Sequence, residues 1–591
     1  MTSHREQPGA EITLRRNIAP LLVDHDRAAL LRELSRAWPS WDLSPRQLCD
    51  LELLLNGAFF PLRGFMTRPD VEAVCDSMRL PSGVMWPMPI VLDVVASVAT
   101  QLGPGAVLAL RDPEGLMLAA LHVAEVWQPD RCAEADALFG TRSEEHPGVT
   151  ALVNGTHPWY VGGTVEGMQL PAHYDFVSLR LTPMAAKAEF DANGWARVAA
   201  FAPRTLLHRA EVEDTLETAL DLNAGLLVHV AAGVSLPGDA QHHAIMRCYK
   251  AAVAKYPPGT ARLIVSALVR RMAGARDTLL EAIVEQNFGC THVIVDDEPV
   301  DGTSASRSLG VTKTPLRDYE KELRLTVAPM LRRLRSPVRA MSLPAESLPD
   351  SSRELRFSDA DLRRRLEYGD DIPEQFTFPE VIYELRRVHR PCHQRGFTIF
   401  FTGLSGAGKS TLANALLVML MEEGSRPVTL LDGDSVRKHL SSELGFSREH
   451  RAINVRRVGY VASEVTRSGG IAICALIAPY DATRQEVRRI VEAVGGFILV
   501  HVSTPLNVCE ERDRKGLYAK ARAGLIPEFT GISDAYEPAL DAELTIDTAM
   551  QSAADAADTI VAHLRRAGYL EAVPHGDTPL TDSAFRTDGA A

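Results

Sequence analysis

The sequence predicts a multidomain α/β protein with a β-rich N-terminal part, an α/β middle part and a C-terminal domain built on a parallel sheet. Three observations carry this prediction. The chain has 591 residues, which is enough for about four structural units of about 150 residues each. In the middle and in the last third, short apolar runs alternate with helical periods, a pattern typical of a parallel sheet covered on both faces. A basic stretch with proline and glycine at 386–396 separates these two regions.

The predicted elements of the last third follow one another in alternating order. Strands are expected at 397–402, 427–431, 471–477, 497–502 and near 543–546. Helices are expected at 410–423, 435–443, 448–468, 482–494 and 551–567. In the middle part, the apolar runs RVAAFA, GLLVHV, RLIVSAL and THVIV predict four strands. The predicted domains are 1–180 (β-rich), 181–305 (α/β), 306–390 (small and mixed), 391–572 (parallel sheet) and 573–591 (a disordered tail).

Composition excludes several classes of protein. Hydrophobic residues make up 46% and charged residues 24%, which is ordinary for a globular chain. The net charge of −13 argues against non-specific binding to nucleic acid or to an anionic membrane. The eight cysteines form no CxxC pair, the N-terminus shows no secretory signal, and no run of 18 apolar residues occurs. We therefore expect a cytoplasmic protein without a nucleic-acid or membrane partner.

The strongest motif is Gly-x-x-x-x-Gly-Lys-Ser-Thr at 403–411, between an apolar strand and a helical pattern. Its glycines let backbone N–H groups face a phosphate chain, and the helix N-terminus adds partial positive charge. Lys409 would reach the β- and γ-phosphates, and the Ser410 hydroxyl would ligate Mg²⁺. The predicted ATP-binding residues are Gly403, Ser405, Gly406, Ala407, Gly408, Lys409, Ser410 and Thr411.

Charged residues follow the second predicted strand of this domain. Asp432 and Asp434 stand at its carboxyl end, the place where ligands sit in parallel sheets. One of them could hold a metal-bound water or accept a hydroxyl proton, although a capped turn explains an Asp-Gly-Asp sequence as well. Arg437 and Arg451 follow closely, and arginines near a phosphate loop suit a second anionic group.

With these motifs in place, the last third resembles adenylylsulfate (APS) kinase. The resemblance rests on GLSGAGKST, LLDGDSVR, LGFSREHRAINVRR, APYDATR and ERDRKGLYAKARAGLIPEFTGISDAYE, and covers about 395–570. It implies transfer of the γ-phosphoryl group of ATP, with Mg²⁺, to the 3′-hydroxyl of APS, giving PAPS. The predicted catalytic residues are Lys409, Asp432 and Asp434, and the resemblance implies that Asp434 lies at the metal and the attacking hydroxyl.

The same resemblance implies an APS site and a mobile lid at 512–531. Aromatic side chains at Phe446 and Phe529 would sandwich the adenine, and Lys515 would lie in the lid. A lid excludes water, which would otherwise compete as acceptor. The implied APS-binding residues are Arg437, Phe446, Arg451, Asn454, Ile477, Lys515 and Phe529.

One residue departs from the kinase pattern. The family commonly carries Ile-Ser-Pro-Tyr where this chain has Ile477-Ala478-Pro479-Tyr480. That serine has been proposed to be phosphorylated as an intermediate, and Ala478 has no hydroxyl. We therefore predict direct transfer within a ternary complex, which needs only positioning and charge neutralisation.

Residues 40–385 resemble ATP sulfurylase, and the whole chain resembles the sulfurylase–APS kinase fusion. The matching stretches include SPRQLCDLELLLNGAFFPLRGFM, YVGGTVEGMQLPAHYDF and LRRRLEYGDDIPEQFTFPEVIYELRR. The resemblance implies an α/β nucleotidyltransferase-like domain behind the β-rich domain, and a homo-oligomer.

The sulfurylase site itself is altered. The family sequence Gln-x-Arg-Asn-Pro-x-His-x-x-His reads Ala-Pro-Arg-Thr-Leu-Leu-His-Arg-Ala-Glu at 202–211, Gly-Arg-Asp-His-Ala-Gly reads Asp-Asp-Glu-Pro-Val-Asp at 296–301, and Thr-Lys-Pro-Gly-Asp reads Ser-Leu-Pro-Gly-Asp at 235–239. Two unit charges at 4 Å interact by about 4 kcal/mol at an effective dielectric constant of about 20. Losing two of the positively charged or hydrogen-bonding side chains of the family motifs would therefore lower the rate or the binding of substrate about 10²–10⁴-fold or more. The residues of this predicted degenerate site are Ala202, Arg204, Thr205, His208, Glu211, Asp297 and Glu298, of which Arg204 and His208 keep the family residue.

Three functions remain open at this point. The first is an APS kinase whose sulfurylase-like part is weak or inactive. The second is a fully bifunctional enzyme that makes PAPS from sulfate and ATP. The third is a regulator that senses nucleotide without turnover. The acidic run at 296–301 is either a solvated loop or a site for a metal or a cationic ligand.

Overall fold

The structure is a computed structural model that describes residues 18–233, 239–295, 316–331, 359–424, 426–513 and 515–571. The chain divides into two compact units. The first unit extends to residue 362 and includes 372–388, and the second comprises 363–371 and the residues from 389 onward. Within the described ranges, none of the helices combines the length and apolar character needed to cross a membrane. The predicted disordered tail at 573–591 lies outside the described residues.

The first unit begins with a mostly antiparallel six-stranded sheet, in the order β1-β4-β5-β6-β2 with β3 also paired to β6. Only β1 and β4 pair in parallel. This sheet confirms the predicted β-rich N-terminal part. Its strands are β1 Ser40–Asp42, β2 Gly64–Phe65, β3 Leu92–Val94, β4 Val107–Arg111, β5 Met117–Trp127 and β6 Trp159–Gly167. The helices around it are His25–Leu34, Pro45–Leu55, Arg68–Ser77, Ala96–Ala99, Arg131–Phe139 and Pro147–Asn154, with a short 3₁₀ turn at Ser35–Ala37.

The second sheet of this unit is parallel throughout, in the order β11-β10-β7-β8-β9. The four strands predicted from apolar runs are all present. The strands are β7 Val198–Phe201, β8 Gly225–Ala231, β9 Ala261–Ser266, β10 His292–Val295 and β11 Thr326–Pro329. The accompanying helices are Pro183–Ala192, Arg209–Asp221, Ala240–Val253, Ala275–Phe288, Glu320–Leu323 and Pro379–Val388, with 3₁₀ turns at Val177–Leu179 and Leu316–Tyr319.

The fifth strand of this sheet differs from the sequence-based domain scheme, which starts a separate small domain at residue 306. Strand β11 pairs with β10, with Val293 opposite Val327, and therefore belongs to the middle sheet. Only its two central residues, Val327 and Ala328, are buried. A four-residue edge strand with two buried positions carries too little periodicity to be recognised in the sequence.

The second unit contains a parallel five-stranded sheet, in the order β13-β14-β12-β15-β16. Apolar side chains cover both of its faces, as the continuous apolar runs predict. The strands are β12 Phe397–Thr402, β13 Val428–Asp432, β14 Ile471–Ala475, β15 Gly496–Val502 and β16 Leu544–Ile546. The helices are Asp359–Tyr368 (which begins in the first unit), Lys409–Glu423, Gly433–His439, Arg448–Arg467, Asp481–Glu492, Leu506–Arg512, Leu517–Arg522 and Ala553–Arg566, with a 3₁₀ turn at Cys392–Gln394.

Candidate functional site

The glycine-rich motif connects β12 to the helix Lys409–Glu423, as the sequence predicts. Gly406 and Gly408 have φ values of +77° and +96°, in the left-handed region that favours glycine. Gly408 immediately precedes the helix, so the first backbone N–H groups of the helix, which lack intrahelical partners, belong to this loop. We call residues 403–411 the phosphate loop. It forms an anion-binding cradle at the carboxyl edge of the parallel sheet.

Lys409 lies buried within the phosphate loop. Its Nζ donates to the carbonyl oxygens of Gly403 at 2.9 Å and of Leu404 at 2.7 Å. Burial lowers the pKa of Lys409 to about 8. Next to it, the Ser410 hydroxyl donates to Oδ2 of Asp432 at 2.7 Å. The structure therefore brings the predicted lysine, hydroxyl and carboxylate together.

The second predicted carboxylate lies beside the first. Asp432 caps the helix Gly433–His439 by accepting from the backbone N–H of Asp434 at 3.0 Å, so the capped turn weighed from the sequence is present. The Asp434 side chain is exposed and forms an ion pair with Lys515, which lies in the predicted lid. A capped turn at Asp432 thus leaves the Asp434 carboxylate at the surface, within reach of the lid.

Arg437, one turn after Asp434 on the helix Gly433–His439, stacks on the ring of Phe446. The guanidinium carbon of Arg437 lies 4.5 Å from the centre of the Phe446 ring, and Arg437 also donates to the carbonyl of Gly445 at 3.0 Å. Burial and the neighbouring Arg451 lower the pKa of Arg437. Phe446 is 63% exposed, so an aromatic face remains accessible to a ligand.

Two of the buried polar side chains of the helix Arg448–Arg467 are the predicted APS-binding residues Arg451 and Asn454. Arg451 is 8% exposed, and its Nη1 donates at 2.6 Å both to Thr530 Oγ1 and to Asp534 Oδ2. Asn454 is 4% exposed, and its Oδ1 has no hydrogen-bond partner among the described residues. A buried amide oxygen without a partner is unfavourable, so this oxygen is suited to a donor on a ligand.

Phe529 is buried, whereas Phe446 is exposed. The Phe529 ring packs edge to face against Tyr518, with ring centres 5.1 Å apart. The Tyr518 hydroxyl donates to the carbonyl of Ser405 in the phosphate loop at 2.8 Å. The two rings predicted to sandwich an adenine thus have very different exposures in the structure.

Ile477 and Ala478 lie beneath the start of the phosphate loop. The Thr402 hydroxyl donates to the carbonyl oxygens of Ile477 at 2.7 Å and of Ala478 at 3.1 Å. Arg484, a fully buried arginine, also donates to the Ala478 carbonyl, at 2.9 Å. Ala478 is 2% exposed and has a φ of +43°, so the position that departs from the kinase pattern is a tightly held backbone site.

Several of these supporting residues escape sequence reasoning. Asp534, Tyr518 and Tyr480, whose hydroxyl donates to Asp534 at 2.7 Å, lie in the stretches that carry the kinase resemblance, but their partners are distant in the chain. Asp534 and its partner Arg451 are 83 residues apart. Tyr518 and its partner Ser405 are 113 residues apart. Only an apolar or polar character can be read at such positions in the sequence, not the contact.

Residues 202–211, predicted to belong to an altered sulfurylase site, follow the carboxyl end of β7. Nη2 of Arg204 lies 3.3 Å from Oε2 of the buried Glu281, and Arg270 donates to the other oxygen of that carboxylate at 2.6 Å. Glu211 accepts from the backbone N–H of His208 at 3.0 Å and so caps the helix Arg209–Asp221. Its carboxylate is thus used in local structure.

His208 is buried, and its ring packs 4.2 Å from the ring of Phe376. Burial lowers the pKa of His208 to about 4, so the ring is neutral near pH 7. Ala202 directly follows β7, and the Thr205 carbonyl accepts from the Tyr249 hydroxyl at 2.9 Å. Asp297 and Glu298, together with the rest of 296–301 and with 235–238, lie outside the described residues.

The fold and site define a nucleotide-binding transferase with a phosphate loop, and comparison with known proteins gives the family. Protein-family models match in three consecutive parts: a PUA-like domain at 13–170, ATP-sulfurylase at 177–388 and adenylylsulphate kinase at 395–547. Sulfate adenylyltransferase of Chaetomium globosum is 42% identical over 559 residues, covering 93% of this chain and 97% of that protein. Sulfate adenylyltransferase of Mycosarcoma maydis is 41% identical over 552 residues, covering 92% and 96%.

Among solved structures, the "Hexameric APS kinase from Thiobacillus denitrificans" is 38% identical, with a TM-score of 0.76, and the match covers 94% of this chain and 98% of that one. The chain belongs to the family of ATP sulfurylase–APS kinase fusion proteins. It is therefore an enzyme with an APS kinase domain at its C-terminal end, a sulfurylase domain before it and a PUA-like domain at its N-terminal end.

Proposed function

We propose that this enzyme transfers the γ-phosphoryl group of ATP to the 3′-hydroxyl of APS, and that its sulfurylase activity is weak or absent. The observation that carries the kinase half is the convergence of Lys409, Ser410, Asp432 and Asp434 at one edge of the parallel sheet, with Ser410 Oγ 2.7 Å from Asp432. In the reaction, the bond from the γ-phosphorus to the β–γ bridging oxygen breaks, and its electron pair leaves with ADP. A new bond forms to the 3′-oxygen of APS, whose proton passes to the Asp434 carboxylate.

The oxygen donors of this site fit a magnesium ion. A serine hydroxyl and two carboxylates are the hard ligands that Mg²⁺ prefers, together with phosphate oxygens and water. Ser410 and Asp434 would hold it, with Asp432 beside them. When bound with ATP, Mg²⁺ neutralises phosphate charge. Lys409 adds positive charge on the same phosphates, and the first N–H groups of its helix orient them.

Three features support APS as the acceptor. Arg437 and Arg451 lie close enough that one lowers the pKa of the other, and an anion between them would relieve this repulsion. The unpaired Oδ1 of Asn454 needs a donor. The exposed Phe446 ring offers a face for a base. The Thiobacillus denitrificans protein, which matches this chain over 94% of its length, is also described as an APS kinase.

The kinase proposal is tested with the full chain by measuring APS-dependent formation of ADP from ATP. The Lys409→Ala variant is the matched comparison, because it removes the ammonium group and leaves the glycines of the loop. We expect ADP formation to require APS and to fall at least about 10³-fold in the variant. Absence of APS-dependent ADP from the folded, unaltered protein would refute the proposal.

The proposal that sulfurylase activity is weak is supported by the surroundings of Arg204 and His208, the two residues of the family motif that remain. Nη2 of Arg204 lies 3.3 Å from Glu281, and His208 is neutral near pH 7 because burial lowers its pKa to about 4. Neither therefore offers a full, unpaired positive charge to sulfate or a triphosphate. Glu211 adds a negative charge three residues further along. An anionic substrate would meet little attraction at this site.

A second candidate is the fully bifunctional enzyme, and similarity to known proteins favours it over loss of sulfurylase activity. The relatives from Chaetomium globosum and Mycosarcoma maydis carry the name sulfate adenylyltransferase over almost the whole length of this chain. Sulfate-dependent release of pyrophosphate from ATP separates the two candidates. A rate similar to the rate of the APS-dependent reaction would establish the bifunctional enzyme and refute the weak front site.

We further propose a cytoplasmic homo-oligomer with APS and ATP as its small-molecule substrates. The relative that is described as hexameric supports the assembly. Light scattering of the purified chain tests it, and a mass near 64.6 kDa would show a monomer instead.

A further inference from the structure

One carboxylate ties together three separate parts of the second unit. Oδ2 of Asp534 accepts from Nη1 of Arg451 at 2.6 Å and from the Tyr480 hydroxyl at 2.7 Å. Arg451 lies on the helix Arg448–Arg467, and Tyr480 stands between β14 and the next helix. Asp534 itself lies in the segment 528–534, which also carries Phe529. No part of the phosphate loop takes part in this contact.

The segment 528–534 is a closed turn. The N–H of Asp534 donates to the Phe529 carbonyl at 3.1 Å, and the N–H of Gly531 donates back to the Asp534 carbonyl at 2.8 Å. The Ser533 hydroxyl accepts from the N–H of Phe529 at 2.8 Å. Arg451 holds the outside of the turn through Thr530 and the Glu528 carbonyl. The contact between Arg451 and Asp534 therefore helps to hold the turn that carries Phe529, beside the hydrogen bonds within the turn and the packing of the ring against Tyr518.

The positive charge of Arg451 explains why its partner at this contact is a carboxylate. The Arg451 guanidinium is 8% exposed, and a buried charge needs a counter-charge. Asp534 supplies it, although Arg437 is close enough to Arg451 for the two positive charges to repel each other. Without the Asp534 carboxylate, Arg451 would keep only neutral acceptors, the Thr530 hydroxyl and the Glu528 carbonyl, which do not offset its repulsion from Arg437. The two arginines would then no longer present a fixed pair of donors.

We propose that Asp534 is a positioning residue for the APS side of the site. It holds Arg451 beside Arg437 and holds Phe529 in its turn, so that the sulfonucleotide meets a preformed arrangement of charge and ring. This inference rests on the proposed kinase function. Its distinctive consequence is that removing the charge of Asp534 should raise KM for APS and leave KM for ATP nearly unchanged.

Steady-state kinetics of the full chain test the inference through the Asp534→Asn variant, which keeps the shape of the side chain and removes its charge. We expect KM for APS to rise about tenfold, the scale of one charge-assisted hydrogen bond. KM for ATP should stay within about twofold and kcat within about threefold. Loss of folded protein alone would lower kcat and leave KM for APS unchanged.

Two further variants keep the test decisive. The control is Glu486→Gln. It breaks a surface contact in which Arg456, on the same helix as Arg451, donates to Glu486 at 2.7 Å, and it should leave KM for APS unchanged. Asp534→Glu keeps the charge and should raise KM for APS less than Asp534→Asn does; it also serves if the asparagine variant does not fold. A KM for APS within twofold of the unaltered enzyme in both Asp534 variants would overturn the inference. Lack of APS-dependent ADP in the unaltered enzyme would instead remove the proposed function.

Discussion

The ammonium group of Lys409 is held 2.7 Å from the carbonyl oxygen of Leu404, within the same loop that forms the anion cradle. A second carbonyl, from Gly403, accepts from the same nitrogen at 2.9 Å. Backbone carbonyls stabilise the ammonium only in part, and burial lowers its pKa to about 8. The charge that would meet the phosphates therefore titrates near pH 8.

The pH dependence of ATP binding follows from this geometry. Because the pKa of Lys409 without ATP is about 8, the charged form prevails below pH 8 and is lost above it. ATP phosphates favour the charged form and raise the pKa again. We expect ATP affinity to fall as pH rises from 8 to 10, and ATP binding at pH 9 to take up about one proton per site.

Titration calorimetry of ATP in buffers of different ionisation enthalpy measures that proton uptake. At pH 6.5 the uptake should be close to zero, because Lys409 is already charged there. The Lys409→Met variant should bind ATP weakly and without this uptake. Equal uptake at pH 6.5 and pH 9 would contradict the prediction.

The kinase unit shows how far the sequence alone reaches. The apolar run 397–402 gives β12 to the residue, and the phosphate loop follows it as predicted. Asp432 and Ser410 are 22 residues apart and yet in contact, which the position of Asp432 at a strand end already indicates. Local patterns are sufficient here because strand order and the carboxyl edge of a parallel sheet bring such residues together.

Long-range pairing of charges is the part that the sequence does not contain. Arg204 can be identified as a surviving residue of the sulfurylase motif, but its contact with Glu281, 77 residues away, cannot. The sequence does not predict strand β11 for a similar reason. Its four residues carry no clear strand pattern, and the strand is defined by its pairing with β10 at the edge of the sheet. Contacts of this kind depend on tertiary packing, which overrides local propensity.

The absence of a hydroxyl at position 478 makes a further prediction about mechanism. Initial rates with APS and ATP varied together should give intersecting double-reciprocal lines, as a ternary complex requires. Incubation with γ-labelled ATP in the absence of APS should leave the protein unlabelled. The Ala478→Ser variant should also remain unlabelled, because the side chain at this position is 2% exposed. Parallel lines or a labelled protein would show that a phosphoenzyme forms.

Glu281 should matter more for stability than an ordinary surface carboxylate. It is buried and faces both Arg204 and Arg270, so Glu281→Gln leaves two arginines without their counter-charge. Since Arg204 is half exposed and can be hydrated, we expect a loss of about 2 kcal/mol in the free energy of unfolding. Urea unfolding of the full chain measures it through the transition of the first unit.

The matched control is Glu322→Gln, which breaks a 2.7 Å pair with Arg79 at the surface of the same unit. Exposed pairs contribute about 0–1 kcal/mol, so this variant should unfold almost as the unaltered protein does. APS-dependent ADP formation should stay unchanged in both variants. Equal destabilisation by the two substitutions would show that Glu281 does not act as a buried counter-charge.

Glu134 predicts an unusual pH dependence of stability in the PUA-like domain. It is 6% exposed and accepts from the Tyr160 hydroxyl at 3.1 Å. Burial raises the pKa of Glu134 to about 7 despite the nearby Arg271, Arg131 and Arg46. Between its usual pKa of about 4.5 and pH 7 the folded state binds the proton more tightly than the unfolded state does, so stability falls as pH rises through this range.

The Glu134→Gln variant should be as stable as the unaltered protein at pH 5 and more stable by about 2–3 kcal/mol at pH 8. Urea unfolding at both values measures this difference, with Glu72→Gln, at an exposed pair with Arg68, as the control. A glutamine variant that is less stable than the unaltered protein at pH 8 would mean that Glu134 is ionised in the fold and stabilised by the three arginines.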